Sequence, residues 1–193
     1  MFTPELLRHR SEVARAIRNL KYEVTPTGFH IPSMRADING VMESWLNGRD
    51  HQIHANMFTT EGRNHTLDVL VANGSVIGTW YCAPFGNSTP AATWTGANFT
   101  ANALEFDDYD EVTRVEYEEG AIASGSVSNS ANRAEFTIST GISSTLYGAG
   151  LLSVSTKNAV TGKCLAASLF AASRAVVATD VLGVQYTLSL TSS

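Results

Sequence analysis

Charge is scarce in this 193-residue chain: Asp, Glu, Lys and Arg together make up 16%, where about a quarter is usual for a globular protein. The 44% hydrophobic content is still enough for a packed core and argues against wholesale disorder. Positive charge is scarcer than negative, 13 Lys/Arg against 18 Asp/Glu for a net charge of −5. No global field is available to neutralise phosphates, so nucleic acid is not an expected partner. Cysteine is nearly absent. Cys82 and Cys164 form neither a C-x-x-C pair nor a disulfide framework, so they read as free, buried thiols. No apolar run approaches the roughly 20 residues that span a bilayer. The first residues, with Glu5, Arg8, Arg10 and Glu12, lack the apolar region of a signal peptide. A soluble protein without membrane insertion is expected.

Catalytic signatures are missing as well. There is no G-x-G-x-x-G, no P-loop and no H-E-x-x-H. Gly120 to Gly125 lacks the G-x-S-x-G elbow, and no histidine follows His65 to serve as a base later in the chain. No catalytic residue, no cofactor and no metal site is assigned, and the chain is not expected to be an enzyme.

What is present is unevenly placed. All five histidines (His9, His30, His51, His54, His65) and eight of the 13 Lys/Arg precede Thr66, and the last third is dominated by Ser, Thr, Ala, Val, Leu and Gly. From Thr3 the sequence reads as a helix, with Thr3 as cap, Pro4 in the first turn and Glu5 on the favourable end of the dipole. Leu6, Val13, Ile17, Leu20 and Val24 form one stripe at spacings of seven, four, three and four, suited to a docking groove or a partner helix, or to packing on the chain's own domain. Thr25-Pro26-Thr27-Gly28 ends it. A second helix is expected from about Met34 to Leu46, with Met34, Ile38, Val41, Met42 and Trp45 on one face and Asn47-Gly48 as its stop. Residues 1–55 thus read as a helical attachment or oligomerisation region, and 56–193 as the body.

In the body, Gly62 to Val71 has helical spacing. Strands follow at 76–85, 112–118, 133–139, 146–154, 164–170, 174–178 and 182–191. The last is the clearest, because Leu182, Val184, Tyr186, Leu188 and Leu190 alternate with Gly183, Gln185, Thr187, Ser189 and Thr191, as in a half-buried antiparallel strand. The fold class expected is mainly β: an antiparallel, jelly-roll-like β-sandwich with an N-terminal helical arm.

Three clusters invite chemistry. Asp50, His51 and His54, with Glu61, His65 and Asp68 nearby, would need helical convergence to hold a metal, and they read better as surface or interface residues. The run 105–119 holds eight acids, Glu105, Asp107, Asp108, Asp110, Glu111, Glu116, Glu118 and Glu119, against Arg114 alone. It lacks EF-hand order and reads as a solvated acidic loop, an irregular calcium site being the alternative. Trp80, Tyr81, Phe85, Trp94 and Phe99 read as core, or, if exposed, as stacking surfaces for sugar rings.

Several segments together carry a resemblance. MFTTEGRNHTLDVLV (57–71), TWYCAPF, EFDDYDEVTRVEY, SVSNSANRAEFTIS, LYGAGLLSVSTKNAVTGKCLAASLF and RAVVATDVLGVQYTLSL resemble a family of tailed-bacteriophage virion proteins with the pattern EGLNxLLD, WYxxLF, YDEATRP, SVxNSAxxAxFT, GAxLxSxxTKGGTTG and GDxLxVxYT. The likeness spans about residues 57–191. It departs at Val115, where the pattern has proline, at Asn158 and Ala159 in place of two glycines, and at Thr179 in place of a glycine. The resemblance implies a structural virion protein without enzyme activity. The arm adds the expectation of a short tail-fibre or neck appendage, docked on the portal or adaptor region as a homo-oligomer, a trimer being one form. A capsid decoration protein and a lectin-like module contacting a host surface glycan are the alternatives.

Overall fold

In the computed structural model, residues 23–25, 28–30 and 36–192 are described. The chain divides into two compact units, residues 1–37 with 191–193, and residues 38–190. In the first, β1 (Glu23–Thr25) and β2 (Gly28–His30) form an antiparallel hairpin with Val24 opposite Phe29. Leu6, Val13, Ile17 and Leu20 lie outside the described residues, but Val24 does not continue a helix as expected. It sits between a charged residue and β-branched Thr25, which precedes Pro26, and a residue before proline is driven out of the α region.

The second unit is mainly β. Its strands are β3 (Ala36–Leu46), β4 (Arg49–Ala55), β5 (Met57–Phe58), β6 (Tyr81–Phe85), β7 (Val115–Glu116), β8 (Ser126–Ser128), β9 (Ala134–Thr137), β10 (Ser143–Leu152), β11 (Cys164–Val177) and β12 (Val181–Ser192), with helix α1 at Thr60–Val71. One sheet has the order β5-β11-β10-β6-β7; the other has β4-β3-β12-β8, with β9 also pairing β12. The neighbours pair antiparallel, with the long β10–β11 hairpin and β12 as the main supports.

The sheets face each other across a shared core. Met42, Phe136, Leu182, Val184 and Tyr186 from one sheet pack with Cys82, Leu151, Ala166, Phe170 and Val176 from the other. Strand alternation explains the membership: Leu182, Val184 and Tyr186 point inward, as their spacing predicts. A second cluster covers the opposite face of the β6–β10–β11 sheet, where Phe85, Leu152, Cys164 and Ala167 meet Trp94, Phe99 and Ala103 from the irregular segment after β6. This layer ends in a π-helical turn at Thr100–Leu104. Phe85, Trp94 and Phe99 contact one another edge-to-face, with ring centroids 5.3–6.1 Å apart. The glycines of β10 are required here, because a Cβ at Gly148 would lie 2.4 Å from the Phe85 ring and one at Gly150 would lie 2.5 Å from the Phe99 ring.

Helix α1 matches the sequence reading, extended by two residues at its start. Thr59 caps it, accepting a bond from Gly62 N at 2.9 Å and donating to the Cys164 carbonyl at 2.5 Å. A Cβ on Gly62 would reach 2.0 Å from the Leu165 carbonyl oxygen, so glycine is what lets the helix lie against β11.

The second expected helix is instead a β-hairpin, β3–β4, joined to the β12 sheet. Asn47 and Gly48 both have positive φ, 53° and 68°, which fits a two-residue hairpin turn rather than a helix cap. Met42 and Ser44 are buried while Glu43 and Trp45 face outward, a period of two that the coincidental helical spacing of apolar residues concealed. Residues 38–55, expected in the attachment region, therefore belong to the same compact unit as the body. Strands expected at 164–170 and 174–178 are one strand, β11, since no turn residue separates them. The stretch 76–80 precedes the strand that begins at Tyr81.

Candidate functional site

The acidic run is tied to the body at Glu105 and Glu111, while Asp107, Asp108, Asp110, Glu116, Glu118 and Glu119 stay exposed, as expected of a solvated run. Glu105 and Arg114 are fully buried as side chains. Arg114 Nε donates to Glu105 Oε1 at 2.7 Å and Nη2 to Oε2 at 2.6 Å, while Nη1 reaches the Val154 carbonyl at 2.9 Å. The Thr100 hydroxyl, near Oε2 at 3.0 Å and the Ala159 carbonyl at 3.1 Å, completes the knot. Glu111 accepts from Thr137 N at 3.1 Å, and Asp110 from the Ser139 hydroxyl at 2.7 Å. The Lys157 ammonium donates to the carbonyls of Asp107 (3.0 Å) and Tyr109 (2.7 Å) and lies 3.6 Å above the Tyr109 ring. Partial burial lowers its pKa, opposed by Asp107, Glu111, Asp108 and Asp110. The run thus carries its own cations, Arg114 within and Lys157 at the rim.

His51 and His54 do not converge. His51 and His54 are both on β4, and in a strand residues three apart point to opposite faces. His51 stacks on Trp45 with centroids 4.5 Å apart and lies 2.7 Å from Glu43 Oε2. Arg133 lies over the same Trp45 ring at 4.1 Å, and Gln185 bonds the other Glu43 oxygen at 2.7 Å. Among the described residues, no group of three or more His, Cys, Asp or Glu is placed to hold a metal ion.

Of the aromatics, Phe85, Trp94 and Phe99 are core, so none of the three offers a face to a sugar. Trp80 is half-buried and meets His65 edge-on at 5.8 Å. Both cysteines are free and buried, and burial pushes each thiol up to about 12. A second buried charge, Arg174 on β11, ties the two sheets: its guanidinium bonds Asp50, and it reaches the Ser44 carbonyl at 3.1 Å and the Ser44 hydroxyl at 3.2 Å.

The site best formed for contact with another protein is an apolar groove of about 300 Å³. Leu70 of α1 forms one wall, Ile122 and Val127 another, and Leu188 and Leu190 of β12 a third, over Phe58 and Leu165. Leu70 is 64% exposed, Ile122 79% and Leu190 52%. Exposed apolar side chains gathered in one concavity are a feature of interaction surfaces, whereas single ones are ordinary. The sequence reading singled out none of these as interface residues. Leu188 and Leu190 were legible as the inward row of β12, but nothing local shows that the row outruns its cover.

No protein-family model matches the chain, and no curated protein sequence matches it.

Proposed function

We propose that the chain is a structural protein of the tailed-bacteriophage virion, a short tail-fibre or neck appendage held on the portal or adaptor region through its N-terminal arm as a homo-oligomer, with no catalytic step of its own. The observation that supports this most is conformational. At Asn158 and Thr179, two positions where the resembled pattern has glycine, the backbone is left-handed, with φ of 58° and 72°, the region glycine enters at no steric cost. Of the three departures from glycine, Asn158 and Thr179 thus fall on left-handed positions of this fold, and Ala159 does not.

Thr179 is the costlier departure, since a β-branched residue is strained there while asparagine tolerates it. Thr179→Gly should therefore raise stability by about 0.5–1 kcal/mol, after the entropic cost of glycine. Thermal unfolding checks this, and a lowered midpoint would count against the turn assignment.

A second reading, a capsid decoration protein, is favoured by the apolar groove, because it places a contact surface on the body rather than on the arm. Cryo-electron microscopy of particles separates the two. Density at the neck or tail in a low copy number supports the appendage. Uniform coverage of the shell replaces it with the decoration protein, and absence from purified particles overturns both.

A further inference from the structure

The polar face of α1 lines a second concavity, unlike the apolar groove. Glu61, Asn64, His65 and Asp68 recur at i, i+3, i+4 and i+7 and so share one side of the helix. Together with Thr93, Thr95 and Lys163 they line an open groove of about 650 Å³, within the roughly 300–1,000 Å³ usual for small-ligand sites. We propose that this groove binds a neutral saccharide.

The walls are set before any ligand arrives. Glu61 Oε2 accepts Gly96 N and Cys164 N, each at 2.8 Å, which fastens α1 to the loop at 96 and to the start of β11. The other Glu61 oxygen lies 3.7 Å from Lys163 Nζ. His65 is held edge-on by Trp80. The side chains lining the groove offer both donors and acceptors: the Asn64 amide and the Thr93 hydroxyl do both, Asp68 accepts, and the Thr95 hydroxyl, which accepts Asn98 N at 3.3 Å, can still donate. Sugar hydroxyls require that mixture. Ala92 adds an apolar residue to the same lining.

Other ligand classes fit less well. Two carboxylates, Glu61 and Asp68, face one ammonium, Lys163, which already lies beside Glu61, so an anionic ligand meets a negative balance. At the N-terminus of α1 the Thr59 hydroxyl takes Gly62 N and the Ala92 carbonyl takes Thr60 N, which leaves little there for a phosphate. An apolar ligand would strip water from the amide and carboxylate without replacing their bonds.

The test uses the full chain and isothermal titration against three sets of oligosaccharides: neutral hexose chains (maltotetraose, cellotetraose), N-acetylhexosamine chains (chitotetraose) and acidic chains (a sialylated trisaccharide, a uronic acid tetramer). Saturable binding of either neutral set is the expected result, and the set that binds identifies the sugar type. Asn64→Ala and Thr93→Val should each weaken it about tenfold, the equivalent of one well-made hydrogen bond. Asn64 is exposed on the helix, so alanine keeps the fold. Glu135→Ala, on the other sheet, should leave affinity unchanged. Failure of both neutral sets to saturate, preference for the acidic set, or affinity indifferent to Asn64→Ala and Thr93→Val would each overturn the proposal. None of these outcomes bears on where the protein sits in a particle.

Discussion

Replacing Arg114 by methionine will lower the unfolding free energy by about 3–5 kcal/mol, the range for breaking a buried ion pair from one side. The cause is less the lost attraction than what remains. The Glu105 carboxylate has no exposed surface, and without the guanidinium it keeps only the Thr100 hydroxyl, while the Val154 carbonyl loses its Nη1 donor. A domain stable by about 5–15 kcal/mol cannot absorb that easily. The double variant Arg114→Met with Glu105→Leu should recover most of the loss, because both charges leave together and apolar groups of similar size take the space. Urea unfolding followed by circular dichroism measures both. A single variant within about 1 kcal/mol of the parent would show that the buried pair contributes little, and a double variant as weak as the single would place the effect in packing.

The same pair shows what local pattern can and cannot reveal. Eight acids in 105–119 read as a solvated face because charge runs usually are one. Nothing in the run distinguishes Glu105 from its neighbours. Its partner is nine residues away, and the surfaces that bury both come from 153–159 and from Thr100, much of it distant in sequence. β12 was legible because its core row repeats every second residue and its partners impose nothing else. α1 was legible from its spacing. The β3–β4 hairpin was not, since Ile38, Val41, Met42 and Trp45 satisfy a helical stripe as well, and Asn-Gly terminates a helix or turns a hairpin. Only pairing with β12 decides between them. Trp45 makes the point most sharply: on a helix it would have joined Met42 in the core, and on the strand it faces outward between His51 and Arg133.

Charge scarcity takes a different meaning once the fold is known. Two of the five basic residues after Thr66, Arg114 and Arg174, are 1–2% exposed, and a third, Lys157, is bound over Tyr109. Much of the positive charge in the body is used internally, Arg174 joining the two sheets and Arg114 and Lys157 joining loop segments to one another. Exposed acids remain, among them Asp107, Asp108, Glu118 and Glu119, but the groove around Leu70 and Leu190 is lined by apolar and hydroxyl residues. Contacts made in that groove are less sensitive to salt than charged ones.

The covering layer offers the other large effect. Phe99 is fully buried, and Phe99→Ala should cost about 3–5 kcal/mol through lost transfer energy and the cavity left behind. Gly150→Ala should also destabilise, because its methyl would sit 2.5 Å from the Phe99 ring, a fully buried ring in edge-to-face contact with Phe85 and Trp94. Combined, the two changes should oppose each other. With the ring gone, the next neighbour of that methyl is the Ala166 carbonyl at 3.5 Å, an ordinary contact, so the methyl fills part of the cavity. It also removes a glycine from a strand interior, worth roughly 0.5–1 kcal/mol. Gly150→Ala is therefore expected to change sign, harmful in the parent and stabilising in the Phe99→Ala background. A double-mutant cycle in urea reads the coupling directly. Additive losses would mean that the layer shifts away from β10 as a body, and that the aromatic trio is not anchored through the space Gly150 leaves open.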